Sequence, residues 1–216
     1  MRKLQYIKEF GITVFTSKAI RKACYKSNSK LAWKINEINE KILSQKLENI
    51  FATTTVDIES CLEFKNINVP EKPIWIMWFQ GLSEAPEVVK MCMNSIQKNS
   101  NGHKVIIVTE QNLSDYIKLP SYVMEKFKKG QITKTHLSDI VRLNLLYLYG
   151  GLWIDATVLV TEKIPEELFN KEFYSINFGK YTKDPSHGRW TTFLMFGEKG
   201  KFVFFKSVEC HCEFWK

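Results

Sequence analysis

Asp139 and Arg142 stand three residues apart in the segment THLSDIVRLNLLYLYGGLWIDAT, residues 135–157. On a helix that spacing puts both side chains on one face. A surface ion pair of this kind is worth at most about 1 kcal/mol and needs no function to explain it. Here Leu143, Leu145, Leu146 and Leu148 follow, so the helix is interior, and interior charges need partners and often mark a site. Asp155 comes directly after the apolar run Leu152-Trp153-Ile154. Ligands of open α/β sheets bind beyond the carboxyl ends of the strands, where a carboxylate can hold a divalent ion and touch a ribose hydroxyl. Asp155-Ala156-Thr157 can equally be a capped turn. Cys210-His211-Cys212 is the one other cluster with metal-ligand chemistry. A single triplet without a second pair reads as ordinary helix-face residues rather than as a zinc site.

The elements that must position these groups are legible around them. Pro73-Ile74-Trp75-Ile76-Met77-Trp78-Phe79 is a short apolar run ahead of Gly81, which suits a buried strand. Residues 86–99 read as a helix with Val88/Val89, Cys92/Met93 and Ile96 inward and Pro86 near its first turn. His103 to Val108 reads as a second buried strand. Strand, helix and strand within about 35 residues make a βαβ unit, and hence a parallel sheet. Short helices or turns are expected around Pro120. A buried helix is expected over Thr135–Tyr149, with Gly150 at its C-terminal turn and Gly151 extending that turn. Further strands are expected over Phe173–Phe178 and Thr191–Phe196, and a helix over Lys201–Trp215.

The 216 residues are 44% hydrophobic and 25% charged, enough apolar material for a core and unlike a disordered polar tract. No uninterrupted apolar run reaches the ~18 residues of a membrane span; Leu143–Ile154 is broken by Asn144, Tyr147, Tyr149 and the two glycines. The start, MRKLQYIKEFGI, lacks the features of a secretory signal. Five cysteines without a CxxC pair fit a reducing cytosol better than a disulfide framework.

The formal charge of +8 is concentrated at the start: residues 1–50 hold 11 Lys/Arg against 4 Asp/Glu. Leu31, Ile35, Ile38 and Ile42 form a helical stripe that Leu47 and Ile50 continue, and Leu4, Ile7, Val14 and Phe15 form a looser apolar face. Gly11 weakens or breaks that first helix. Two readings stay open. One is a helical hairpin packed on the body with its lysines solvated. The other is a basic segment lying on an anionic membrane surface, at up to about 1 kcal/mol per Lys or Arg. Nucleic acid is not expected, since only Tyr6, Tyr25 and Trp33 could stack and no binding motif occurs. A linker is expected from Thr53-Thr54-Thr55 towards Pro70. This divides the chain into a basic helical extension, 1–68, and an α/β domain, 69–216.

The stretch SDIVRLNLLYLYGGLWIDAT resembles the S-D-x-x-R…G-G-x-(aromatic)-x-D-x-D signature of sugar-nucleotide glycosyltransferases. It is similar to glycosyltransferase family 32 and its bacterial capsular polysaccharide synthesis relatives, and more distantly to the large clostridial glucosylating toxins. Trp78-Phe79-Gln80-Gly81, followed by Ala85-Pro86, resembles the first strand and loop of the capsular group, and the likeness is good from Pro73 to Pro165. The resemblance implies a GT-A fold, a Rossmann-like α/β sheet that is C-terminally incomplete here because family members continue further. It implies a retaining transfer from a nucleotide-diphosphate donor, UDP-linked, to a capsular or other surface polysaccharide or its lipid-linked precursor, at the cytoplasmic face of the cell membrane. The alternative is a non-catalytic, membrane-associated nucleotide-sugar-binding protein.

The same resemblance implies the roles of individual residues. Trp78, with Gln80 and Gly81, would lie at the nucleotide, with Trp78 against the base. Asp139 and Arg142 would grip the donor sugar and its diphosphate side. Gly150 and Gly151 would let backbone approach the nucleotide. Asp155 would bridge ribose and a Mn²⁺ or Mg²⁺ ion, whose oxygen-ligand preference and Lewis acidity suit a diphosphate leaving group. The second carboxylate of the family motif is Thr157 in this chain, a poorer metal ligand.

Overall fold

The computed structural model describes residues 3–24, 30–53, 67–179, 186 and 188–215. The chain divides into two compact units, Met1–Thr55 with Asn177–Trp190, and Val56–Ile176 with Thr191–Lys216. Most of the expected linker, residues 54–66, lies outside the described residues.

In the first unit α1 (Lys3–Cys24) packs along α2 (Lys30–Thr53). Gly11, at φ 82° and ψ 159°, interrupts the helical backbone of α1, as its lack of a Cβ permits. Of the apolar stripe expected on α2, Ile35 and Ile42 are half-buried and Ile38 is exposed. Ile38 is 53% exposed, whereas Asn36 and Asn39 are buried, and Ser17 Oγ donates to Asn39 Oδ1 at 2.7 Å. A polar contact thus joins the two helices, and Val14 of α1 is buried. Within the same unit, Arg189 pairs with Glu40.

The second unit is a mixed α/β structure. Strand β1 (Ile74–Met77), helix α3 (Glu87–Lys98) and strand β2 (Val105–Val108) form the βαβ unit, with β1 and β2 parallel and in register from Ile74↔Val105 to Met77↔Val108. Short helices α4 (Leu113–Tyr116) and α5 (Ser121–Lys128) flank Pro120. The buried helix α6 (Lys134–Tyr149) leads through Gly150 into β3 (Gly151–Ile154), which lies parallel to β1 on the side away from β2. After β4 (Phe173–Ser175) and β5 (Leu194–Gly197) the helix α7 (Phe202–Trp215) follows.

The five strands run β2-β1-β3-β5-β4, with β5 antiparallel to both neighbours. The sheet is therefore mixed rather than wholly parallel. The strand expected over Phe173–Phe178 ends at Ser175, the last residue that pairs with β5.

Strand alternation splits the core into two layers. Trp75, Met77 and Trp153 point into one with Leu137, Val141 and Phe204 of α6 and α7. Ile74, Ile76, Leu152 and Ile154 point into the other with Val89 and Ile96 of α3. Because β1 has β2 on one side and β3 on the other, the strand order reverses between β1 and β3, and that is where open sheets of this kind receive ligands.

Candidate functional site

Helix α6 starts where Thr133 Oγ1 accepts from His136 N (3.2 Å), a conventional N-cap. Its buried residues Leu137, Ile140, Val141, Leu145 and Leu148 fix its rotation against the sheet. That rotation carries Asp139 and Arg142 to the carboxyl ends of the parallel strands. Asp155 arrives from the other side: its N–H donates to Phe193 O (2.8 Å), so the residue still follows the edge of β5. Being two residues beyond Trp153, it points to the same face.

Arg142 joins the two carboxylates. Its Nη2 donates to Asp139 Oδ1, its Nη1 donates to the Thr192 carbonyl, and Nη1 lies 3.9 Å from Asp155 Oδ1. The guanidinium carbon sits 5.2 Å from the centre of the Trp153 ring, within cation–π range. Trp153 Nε1 donates to Asp155 Oδ1 at 2.6 Å. The Arg142 side chain is only 4% exposed, against 35% for Asp139 and 37% for Asp155. The carboxylates thus face solvent and the guanidinium stands behind them. Burial pushes the Arg142 pKa below its ordinary value, while Asp139 and Asp155 pull it back up. One buried cation that holds two carboxylates together is a pre-organised, oxygen-rich surface suited to sugar hydroxyls or a hard cation.

His211, on α7, shares this electrostatic environment. Its burial lowers its pKa, Asp139 opposes that shift, and His136 and Arg142 add to it. Trp215, one turn further along α7, packs on His136 with ring centres 6.1 Å apart. The triplet Cys210-His211-Cys212 lies inside the helix, so its members fan apart; Cys212 is buried and the Cys210 thiol is pushed up to about 11 by burial and Glu209. Among the described residues no group of three or more His, Cys, Asp and Glu side chains is arranged to hold a metal. The available oxygens are Asp155 and, two residues on, the exposed Thr157. That set fits a cation which draws its remaining ligands from a diphosphate and water, as Mg²⁺ commonly does.

The remaining residues implied by the resemblance divide by location. Trp78 sits at the carboxyl end of β1, but its half-buried ring packs with the layer under α3, on the opposite face from Trp153 and Arg142. Its indole Nε1 is buried without a hydrogen-bond partner among the described residues. Gln80 is exposed, and Gly81, at φ 88°, closes the turn by donating to Trp78 O (3.0 Å). The neighbouring Phe79 faces the layer that holds the cluster and, with Glu110, Leu113, Ser114 and Lys118, lines a cavity of about 260 Å³ at the ends of β1 and β2.

Gly150 and Gly151 do not join the cluster. Gly150 caps α6 and Gly151 begins β3, whereas Asp155 follows the end of that strand. A Cβ on Gly151 would stand 2.3 Å from Pro73 O, and one on Gly150 would stand 2.8 Å from Lys199 N. Close packing of the strand start thus accounts for both glycines. Sequence reasoning passed over Trp153 as a site residue, although the i, i+2 rule places it on the face of Asp155.

A family model described as capsular polysaccharide synthesis protein matches residues 22–216. The chain is 27% identical over 128 residues to the O-glycosyltransferase braB of Annulohypoxylon truncatum, covering 55% of this chain and 30% of that one. It is 28% identical over 105 residues to the O-glycosyltransferase PaGT of Phomopsis amygdali (44% and 26%), and 27% identical over 128 residues to the glycosyltransferase afumC of Aspergillus fumigatus (54% and 33%). The chain spans about a third or less of the length of these curated relatives. No solved structure matches it.

Proposed function

The chain belongs to the capsular polysaccharide synthesis protein family, and on that premise we propose that it is a glycosyltransferase with a GT-A-type sheet, moving a sugar from a UDP-linked donor to a surface polysaccharide or its lipid-linked precursor. One observation carries the proposal: Asp139 from α6 and Asp155 from the end of β3 converge on a single buried guanidinium where the strand order reverses. Named glycosyltransferases among the relatives support the same reaction class.

In this mechanism the nucleoside end of the donor takes the cavity beside Phe79 and Glu110. Asp139 accepts hydrogen bonds from hydroxyls of the donor sugar and holds it for attack. Asp155 faces the ribose and the diphosphate, and with Thr157 would hold a divalent ion. When bound there, that ion supplies Lewis-acid stabilisation of the leaving diphosphate. Arg142 holds Asp139 by a hydrogen bond, attracts Asp155 from behind and adds positive potential to the site. Departure of the diphosphate leads, through an oxocarbenium-like transition state, and the acceptor enters on the same face, so configuration is retained.

A second reading, a nucleotide-sugar-binding protein without turnover, is favoured by the hydroxyl of Thr157 in place of a second carboxylate. Incubating the purified chain with a panel of UDP-sugars and Mn²⁺ separates the two. UDP release or transfer from one donor supports the enzyme; tight UDP binding with no release from any donor supports the second reading.

The basic first unit would bring the enzyme to the inner face of the membrane and to a lipid-linked acceptor. Among the described residues no helix is long and apolar enough to cross a bilayer. Ile12, Ile20 and Ile38 are more than half exposed in a lysine-rich segment, which suits surface adsorption. Binding to anionic liposomes that fades with salt is expected; equal binding to neutral vesicles would contradict it.

A further inference from the structure

Trp75 and Trp153 are register partners on β1 and β3, and both are fully buried. Burying an indole N–H without an acceptor is costly, so the partner of each matters. Trp75 Nε1 finds a backbone carbonyl, Gly150 O at 2.8 Å. Trp153 Nε1 instead finds a side chain, Asp155 Oδ1 at 2.6 Å. This second bond places a core residue in direct control of a site carboxylate.

Two groups compete to orient that carboxylate. Arg142 Nη1 stands 3.9 Å from Asp155 Oδ1, beyond hydrogen-bond range, so it contributes attraction without direction. The Trp153 N–H is within range and directional. The backbone of Trp153 is held on both sides, by Trp75 of β1 and Met195 of β5, so the donor has little freedom to move. Its ring also lies 5.2 Å from the guanidinium carbon. With Oδ1 engaged, the other oxygen of Asp155 has no hydrogen-bond partner among the described residues, and the side chain is 37% exposed.

We propose that Trp153 is a positioning residue of the donor site: its indole N–H holds Asp155 Oδ1 and so presents the second carboxylate oxygen to the ligand. The nature of that ligand, a nucleoside diphosphate with its cation, rests on the glycosyltransferase reading; the lock itself does not. Phenylalanine would fill much of the same space without the donor, so Trp153→Phe isolates the hydrogen bond.

The test is a double-mutant cycle with Asp155→Ala, read as the affinity of the full chain for UDP in Mn²⁺ by calorimetry. Trp153→Phe is expected to weaken UDP about tenfold in the wild-type background, a typical effect of losing a group that orients a ligand-binding carboxylate. It should have less than about a twofold effect once Asp155 is Ala, because the lock then holds nothing. Equal losses in both backgrounds would reduce Trp153 to a packing residue and overturn the proposal.

A ligand-free measurement covers the case in which Trp153→Phe does not fold. In ¹⁵N-indole spectra of the full chain, Asp155→Ala should shift one indole N–H signal upfield and speed its exchange with water. Unchanged indole signals would overturn the lock. A wild-type chain that shows this indole signature but fails to bind UDP would instead sink the glycosyltransferase reading and leave the lock standing.

Discussion

The two ends of β3 are built for different purposes. At its start, Gly151 lies against Pro73 O, Gly150 lies against Lys199 N, and the Trp75 N–H closes on Gly150 O. Every one of these contacts is neutral and involves backbone. Just past its other end stands Asp155, a third exposed, with Trp153, Arg142 and the Thr192 carbonyl arranged behind it. One end is packed as tightly as a strand can be, while the other leaves charge facing solvent. In the same six-residue run, GGLWID, the glycines are packed against backbone, and the aspartate is the residue we propose for the ligand.

Substitutions at the two ends should therefore fail differently. Asp155→Ala should lower kcat/KM about a thousandfold, or about 4 kcal/mol of transition-state stabilisation, with a smaller loss of Tm because the buried Trp153 indole N–H loses its acceptor. Turnover within tenfold of wild type would remove Asp155 from the reaction. Gly151→Ala should do the reverse. Its Cβ would clash with Pro73 O and its φ of 102° is strained for any side chain, so a loss of about 3 kcal/mol in denaturant-measured stability is expected. Specific activity per folded molecule should remain.

Arg142→Lys sharpens the contrast at the site end. Lysine keeps the charge but cannot reach Asp139 and the Thr192 carbonyl together, so kcat/KM should fall about 10- to 100-fold. An unaltered rate would mean that the charge alone suffices.

The smallest expected effect concerns pH. Burial lowers the His211 pKa from 6.5, and of the charged groups that face it from α6, Asp139 opposes this whereas Arg142 and His136 reinforce it. The neutral imidazole's contribution is complete above pH 6.5 and is lost as pH falls below that towards the lowered folded value. His211→Gln should flatten the acid side of the Tm profile; a profile as steep as wild type would place the acid sensitivity elsewhere.

Much of this architecture is legible in the sequence because its signals are local. Ile74–Met77 and Val105–Val108 are continuous apolar runs around an amphipathic helix, which reads as a βαβ unit. The three-residue spacing of Asp139 and Arg142 forces them onto one face of α6. The direction of β5 is not legible, because an apolar run such as Leu194–Gly197 looks the same in parallel and antiparallel pairing. Nor is the depth of Arg142: the sequence shows a charge on an apolar helix, but not that it stands behind the carboxylates it pairs with. The two glycines illustrate a third limit. A signature marks residues that occur together without showing which of them are packed tightly, as Gly150 and Gly151 are against Lys199 and Pro73. On α2 the isoleucine spacing marks an apolar stripe, yet Ile38 within it is exposed and Asn39 is bonded to Ser17, a pairing that periodicity does not encode.

Hydrogen exchange of the full chain, with and without UDP and Mn²⁺, compares the two ends of β3 in one measurement. Ligand should slow exchange in residues 153–158 and 191–194, around the Asp155 and Phe193 backbone bond. Residues 147–151 and 197–200 should exchange at the same rate in both states. Protection confined to the glycine end, with the Asp155 end unaffected, would contradict the assignment of the donor site.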